Sequence, residues 1–145
     1  MVKNSILSIP LRLIMQKNVV TVSSENTLDK VASIFKHGKF HHLPVININY
    51  DLIGIISTTD FDKFSWGKSF FNNDRKMEIN EMLYKTNRTV DIMTPHVFTL
   101  SPDHLVEEAI HSFKKFSFRA IPIVEDDKVV GIITPMDILN YIAKD

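Results

Sequence analysis

Two short stretches, Ser57-Thr58-Thr59-Asp60 and Thr134-Pro135-Met136-Asp137, bring hydroxyl and carboxylate side chains together at matched intervals. Each sets a hydroxyl three residues ahead of a carboxylate, just after a Val/Ile-rich run. If each marks the start of a helix, its unpaired N–H groups and partial positive charge suit a phosphate. The Ser or Thr hydroxyl adds a donor. A carboxylate one turn in can accept from both hydroxyls of a cis-diol, in charge-assisted bonds. The same spacing is also that of a capping box, and Pro135 suits the first helical position. Capping alone would account for both stretches, so both readings stay open on the residues.

Counter-charge for an anion is available nearby. His41-His42 precede Leu43-Pro44, and Arg119-Ala120 precede Ile121-Pro122. Arginine is a permanent fork of donors. The two histidines serve an anion fully only when protonated, near the imidazole reference value of ~6.5, so binding beside them is expected to tighten on acidification. The plainer alternative is that all three are solvated surface groups. Lys36, Lys39, Lys114 and Lys115 add positive potential, although lysines at a helix end are what the dipole favours anyway. Other chemistries find no foothold. Cysteine is absent, which removes thiolate zinc sites, disulfides and cysteine nucleophiles. No G-x-S-x-G elbow, P-loop or G-x-G-x-x-G occurs, and the chain has only four glycines. His37, His41 and His42 would approach a metal together only if a helix ran through Gly38, which should stop it. No metal site, no nucleophile–base pair and no enzymatic activity are expected.

These residues need strands and helices to hold them, and the chain supplies those twice. Displaced against itself by 78 residues, Ile14-Met15 falls on Ile92-Met93, Thr21 on Thr99, Phe35 on Phe113 and Pro44 on Pro122. Displaced by 77, Gly54-Ile55-Ile56 falls on Gly131-Ile132-Ile133 and Asp60 on Asp137. The one-residue slip lies between Asn47–Asp51 and Glu125–Lys128, both turn-like, where duplicated folds tolerate insertion. Each copy opens on a β-rich piece, Val19–Val22 or Val97–Leu100. A helix follows, with apolar residues at i, i+3, i+4 and i+7: Leu28, Val31, Ala32, Phe35 in one copy and Val106, Ala109, Ile110, Phe113 in the other. Two strands come next, Leu43–Ile48 with Leu52–Ser57 and Ile121–Glu125 with Val129–Thr134, rich enough in Val and Ile to suggest burial on both faces. A last helix closes each copy, over Thr59–Trp66 and Met136–Ala143. The unit is β-α-β-β-α, and one unit alone buries too little apolar surface to be stable.

The chain has 145 residues, of which 44 % are hydrophobic, so it can build a core and is not intrinsically disordered. Lys plus Arg and Asp plus Glu are both 17; a nucleic-acid binder would show a basic excess. No apolar run is long enough to span a bilayer, and the first residues lack a signal-peptide pattern, so a cytoplasmic protein is expected. Between the copies, Asp74–Lys85, with Met77, Glu78, Met82 and Leu83, is expected to be helical. Trp66, Phe70 and Phe71 just before it either cap the core of the first copy or form a partner-binding patch.

The pattern resembles a tandem pair of cystathionine-β-synthase (CBS) domains, a Bateman module. The resemblance is carried by Ile92-Met93-Thr94-Pro95, the Leu43-Pro44-Val45 and Ile121-Pro122-Ile123 strand starts, and the Gly54–Asp60 and Gly131–Asp137 segments. It implies an α/β (α+β) fold in which two β-α-β-β-α repeats, residues 8–66 and 88–143, pack through their sheets with pseudo-two-fold symmetry. Residues 67–87 form a partly helical linker. It also implies a stand-alone regulatory module, commonly a homodimer, that binds AMP, ADP, ATP or S-adenosylmethionine in clefts between repeats and modulates an unidentified partner. No obligatory cofactor is implied. The family pattern assigns the ribose to Asp60 and Asp137, and the phosphates to Ser57, Thr59 and Thr134 with His41, His42 and Arg119. Thr21 and Thr99 lie on the matching adenine-side strands. Met136 stands where the first copy has Thr59, so the second copy lacks that hydroxyl. The alternative is a ligand-free interaction or dimerisation module.

Overall fold

The structure, a computed structural model, describes residues 2–65 and 73–144, with side chains described for residues 5–65 and 80–144. In chain order the elements are α1 (Val2–Leu7), a 3-10 turn (Leu11–Leu13), β1 (Val22–Ser23), α2 (Leu28–His37), β2 (His42–Ile46), β3 (Leu52–Ser57), α3 (Thr58–Phe64), α4 (Asn73–Thr86), α5 (Thr89–Ile92), β4 (Thr94–Pro95), α6 (Val106–Lys115), β5 (Ile121–Glu125), β6 (Lys128–Ile133) and α7 (Pro135–Ala143). The fold is mixed α+β and contains the β-α-β-β-α order twice. Among the described residues no helix is long and apolar enough to cross a membrane. The expected aromatic cluster of Trp66, Phe70 and Phe71, and the side chains of Met77 and Glu78, lie outside the described residues; the helix expected over 74–85 is α4.

The chain divides into two compact units, Val20–Val97 and Met1–Val19 with Phe98–Asp145. The stretches duplicated in sequence are therefore not the stretches that pack together. The leading residues of the first repeat, up to Val19, belong to the unit of the second. Gln16 bridges Ile132, its N–H donating to the Ile132 carbonyl at 2.9 Å and its carbonyl accepting in return at 3.1 Å. Leu11 N–H likewise reaches the His104 carbonyl at 2.8 Å. In the other unit β4 pairs with β3, setting Pro95 beside Gly54 and Thr94 beside Ile55.

In the unit of residues 20–97 the sheet order is β1-β2-β3-β4, with β1 parallel to β2 and the other pairs antiparallel. The periodic face of α2 buries Leu28 and Val31 against Leu43, Val45 and Ile56, and α3 adds Phe61. Phe61 meets Phe35 edge-on at 5.6 Å and Tyr84 of α4 at 5.3 Å, which ties three helices together. In the other unit β5 and β6 form an antiparallel pair, and Val106, Ala109, Ile121, Ile123, Ile133 and Ile138 surround the buried Leu11.

The opening strands are shorter than their composition suggests. β1 covers only Val22–Ser23, and in the second copy Leu100 alone bridges Ile123. Only the residues that reach the neighbouring strand take up paired geometry. Burial on both faces holds for Leu43–Val45, whereas β3 alternates, with Gly54 and Ile56 buried between half-buried neighbours. The one-residue slip is a turn difference. Asn47 Oδ1 accepts from the N–H of Asn49 (2.9 Å) and Asp51 (3.0 Å) across the longer turn. Asp126 and Asp127, both at positive φ, close the shorter one.

Candidate functional site

Each candidate site sits where the third strand of a copy runs straight into a helix. Ser57 leaves β3 in extended geometry (φ −123°, ψ 165°) and caps α3; Thr134 leaves β6 at φ −124°, ψ 162° and caps α7. The near-identical dihedrals show one local solution used twice. At the first junction Asp60 N–H donates to Ser57 Oγ at 3.2 Å. Asp60 Oδ2 accepts from Ser57 N–H at 2.7 Å and from Ser57 Oγ at 3.0 Å. At the second, the corresponding distances to Thr134 are 3.3, 2.8 and 3.0 Å. The capping box is thus present at both junctions, as the spacing allowed. Capping uses only Oδ2 of each carboxylate, and both aspartates stay half-exposed.

The remaining oxygens differ. Asp137 Oδ1 accepts from Gln16 Nε2 at 2.8 Å, while Asp60 Oδ1 has no hydrogen bond among the described residues. Gln16 was not among the residues singled out from sequence. It is 121 positions from Asp137, and its only signal was the repeat itself, which sets Gln16 on Thr94.

The other candidates distribute as follows. His42 stands directly opposite Ser57 in the β2–β3 ladder. The His41 carbonyl accepts from Thr58 N–H at 3.1 Å, so the strand carrying both histidines is tied to the first turn of α3. The second copy has Pro135 at that place, which has no N–H to donate. Thr59 is exposed on the first turn of α3, and Arg119 is exposed ahead of β5 with no ion pair among the described residues. Thr21 and Thr99, half-buried, precede the residues that pair with β2 and β5 on the side away from β3 and β6. Neither bonds to an aspartate of its own unit among the described residues. α2 ends at His37, with Gly38 N–H bonded to the Ile34 carbonyl at 2.9 Å, so His41 is off that helix. No group of three His, Asp or Glu side chains fit for a metal ion occurs among the described residues.

Behind each junction a glycine admits a methionine. A Cβ on Gly54 would stand 2.5 Å from Met93 Sδ and 3.0 Å from the Thr94 carbonyl; one on Gly131 would stand 2.5 Å from Met15 Sδ. Met93 and Met15, each packed against the core of its own unit, thus lie close on β3 and β6 at these glycines.

The chain is 30 % identical, over 133 residues, to the uncharacterized protein MJ1225 of Methanocaldococcus jannaschii, covering 90 % of this chain and 48 % of that one. It spans less than half the length of the curated relatives it matches, several of which are named as enzymes, such as the homoserine O-acetyltransferase of Methanohalobium evestigatum. Among solved structures it resembles CBSX2 in complex with AMP (TM-score 0.74, 25 % identity, 92 % of this chain and 96 % of that one). It also resembles the CBS domain pair of protein MJ0100 in complex with 5-methylthioadenosine and S-adenosyl-L-methionine (TM-score 0.72, 25 % identity, 93 % and 96 %). The family model of the CBS domain matches residues 11–67 and again 90–144. Each match contains one of the two capped aspartates, and with both repeats accounted for the chain belongs to the CBS domain family.

Proposed function

We propose that this chain is a regulatory, non-catalytic module that senses an adenine nucleotide or a related adenosyl ligand and modulates a partner protein. The observation that carries the reading is the half-exposed carboxylate at a strand-to-helix junction, held in place by its capping box, with no hydrogen bond on Asp60 Oδ1 among the described residues. A preorganised carboxylate of this kind suits a ribose diol. Ser57, Thr59, His41 and His42 supply donors on the phosphate side of the first site, with Thr21 on the adenine side. Thr134, Arg119 and Thr99 do so beside Asp137. The adenosyl ligands of CBSX2 and MJ0100 support the ligand class. AMP, ADP, ATP and S-adenosylmethionine are the candidates, and a cytoplasmic setting follows from that pool. The duplicated stretches 8–66 and 88–143, joined by 67–87, are the functional repeats.

A homodimer is supported by α7, where Met136, Leu139 and Ile142 are 59, 56 and 48 % exposed. A row of large apolar side chains left in water favours a protein contact. That same row favours the second reading, a ligand-free dimerisation module. Thermal melting with each of the four ligands separates the two. A binder gains about 2.7 kcal/mol at a hundredfold excess over its Kd. No shift with any of the four rejects the sensor and leaves the dimerisation module.

A further inference from the structure

We propose that Gln16 is a latch on the second carboxylate, so that the two adenosyl sites of one chain are inequivalent. Asp60 is open to a ligand diol, and Asp137 must first release Gln16. This inference rests on the sensor reading above and says which of its sites fills first.

Gln16 bridges Ile132 on β6, and Thr94 bridges Ile55 on β3. The repeat register aligns Gln16 with Thr94 and Ile132 with Ile55, so the same place beside each junction carries two different side chains. Glutamine is long enough to reach the carboxylate, and its Nε2 donates to Asp137 Oδ1 at 2.8 Å. An ionised carboxylate only accepts, which orients the amide with its NH2 group toward Asp137. Thr94 is shorter, and its hydroxyl makes no bond to Asp60 among the described residues. Among the described residues Asp137 therefore has both oxygens engaged, Oδ2 by Thr134 and Oδ1 by Gln16, whereas Asp60 has one. Gln16 is exposed, so the amide can rotate away into water; the latch is reversible and lowers affinity without blocking the site.

The test is calorimetric titration of the full chain with AMP, comparing the parent with Gln16→Thr, which installs the residue of the other copy. The backbone bonds of position 16 do not depend on its side chain, and Thr already occupies the equivalent bridge. The parent should show two unequal steps, or one only. Gln16→Thr should tighten the weaker step about tenfold, or make it appear, and leave the tighter step unchanged. Gln16→Ala should do the same, and adding Asp137→Asn to either should cancel the gain. The latch is wrong if both steps are unchanged, if the weaker step is lost (Gln16 then being a ligand contact), or if the parent binds two AMP with equal affinity. Binding of AMP that ignores Gln16 rejects the latch alone. Failure of AMP, ATP and S-adenosylmethionine to bind any of these proteins rejects the sensor reading and the latch with it.

Discussion

Replacing Asp60 with Asn and, separately, with Ala distinguishes a cap from a grip. The Ala variant loses both bonds that Oδ2 accepts, from Ser57 N–H at 2.7 Å and Ser57 Oγ at 3.0 Å. It keeps the Ser57 Oγ bond to the residue-60 N–H at 3.2 Å, so α3 retains half of its box. Two partly exposed bonds contribute about 1–2 kcal/mol, which for a chain of this length lowers Tm by roughly 3–7 °C. Asn keeps an oxygen of the same shape facing Ser57, and it should melt within about 0.5 kcal/mol of the parent. Its effect on a ligand is different. Charge-assisted bonds are about twice as strong as neutral ones. Two diol hydroxyls that lose their charged acceptor forfeit about 2 kcal/mol, a roughly thirtyfold weaker Kd. The assay is a pair of measurements on each protein, melting without ligand and titration with AMP. A stable Asp60→Asn protein that binds AMP as tightly as the parent would refute the grip and leave Asp60 a cap.

Gly54→Ala is expected to cost about 1–3 kcal/mol in denaturant unfolding, because its Cβ meets Met93 Sδ and the Thr94 carbonyl, and adding Met93→Ala should recover part of that loss. Phe61→Ala, which removes the ring between Phe35 and Tyr84, should cost about 3–5 kcal/mol by the same assay. The Thr27 hydroxyl beside Asp29 holds its carboxyl below the ordinary 3.8. A carboxyl with a depressed folded value contributes stability that is fully present above 3.8 and is lost as pH falls below 3.8 through the lower folded value. The melting curves of the parent and Thr27→Val should therefore converge in acid; the Thr27 side chain makes no capping bond that would confuse the comparison.

The local architecture was legible in the sequence because it is set by short-range physics. Apolar spacing located α2 and α6, Val/Ile runs located β2, β3, β5 and β6, and the hydroxyl-to-carboxylate spacing announced both capping boxes. The repeat also located the one-residue slip in a turn. The partition into compact units was not legible. The leading segment of each repeat pairs with a strand of the other, through Gln16 on Ile132 and Thr94 on Ile55, and no local propensity encodes pairings between residues so far apart in the chain. For the same reason the residues alone, which furnished the first site better through Thr59 against Met136, showed no difference between the carboxylates of Asp60 and Asp137 themselves. Only the folded chain, by bringing a glutamine from the N-terminal segment onto Asp137 and a shorter threonine to the matching place in the other unit, makes one carboxylate more available than the other.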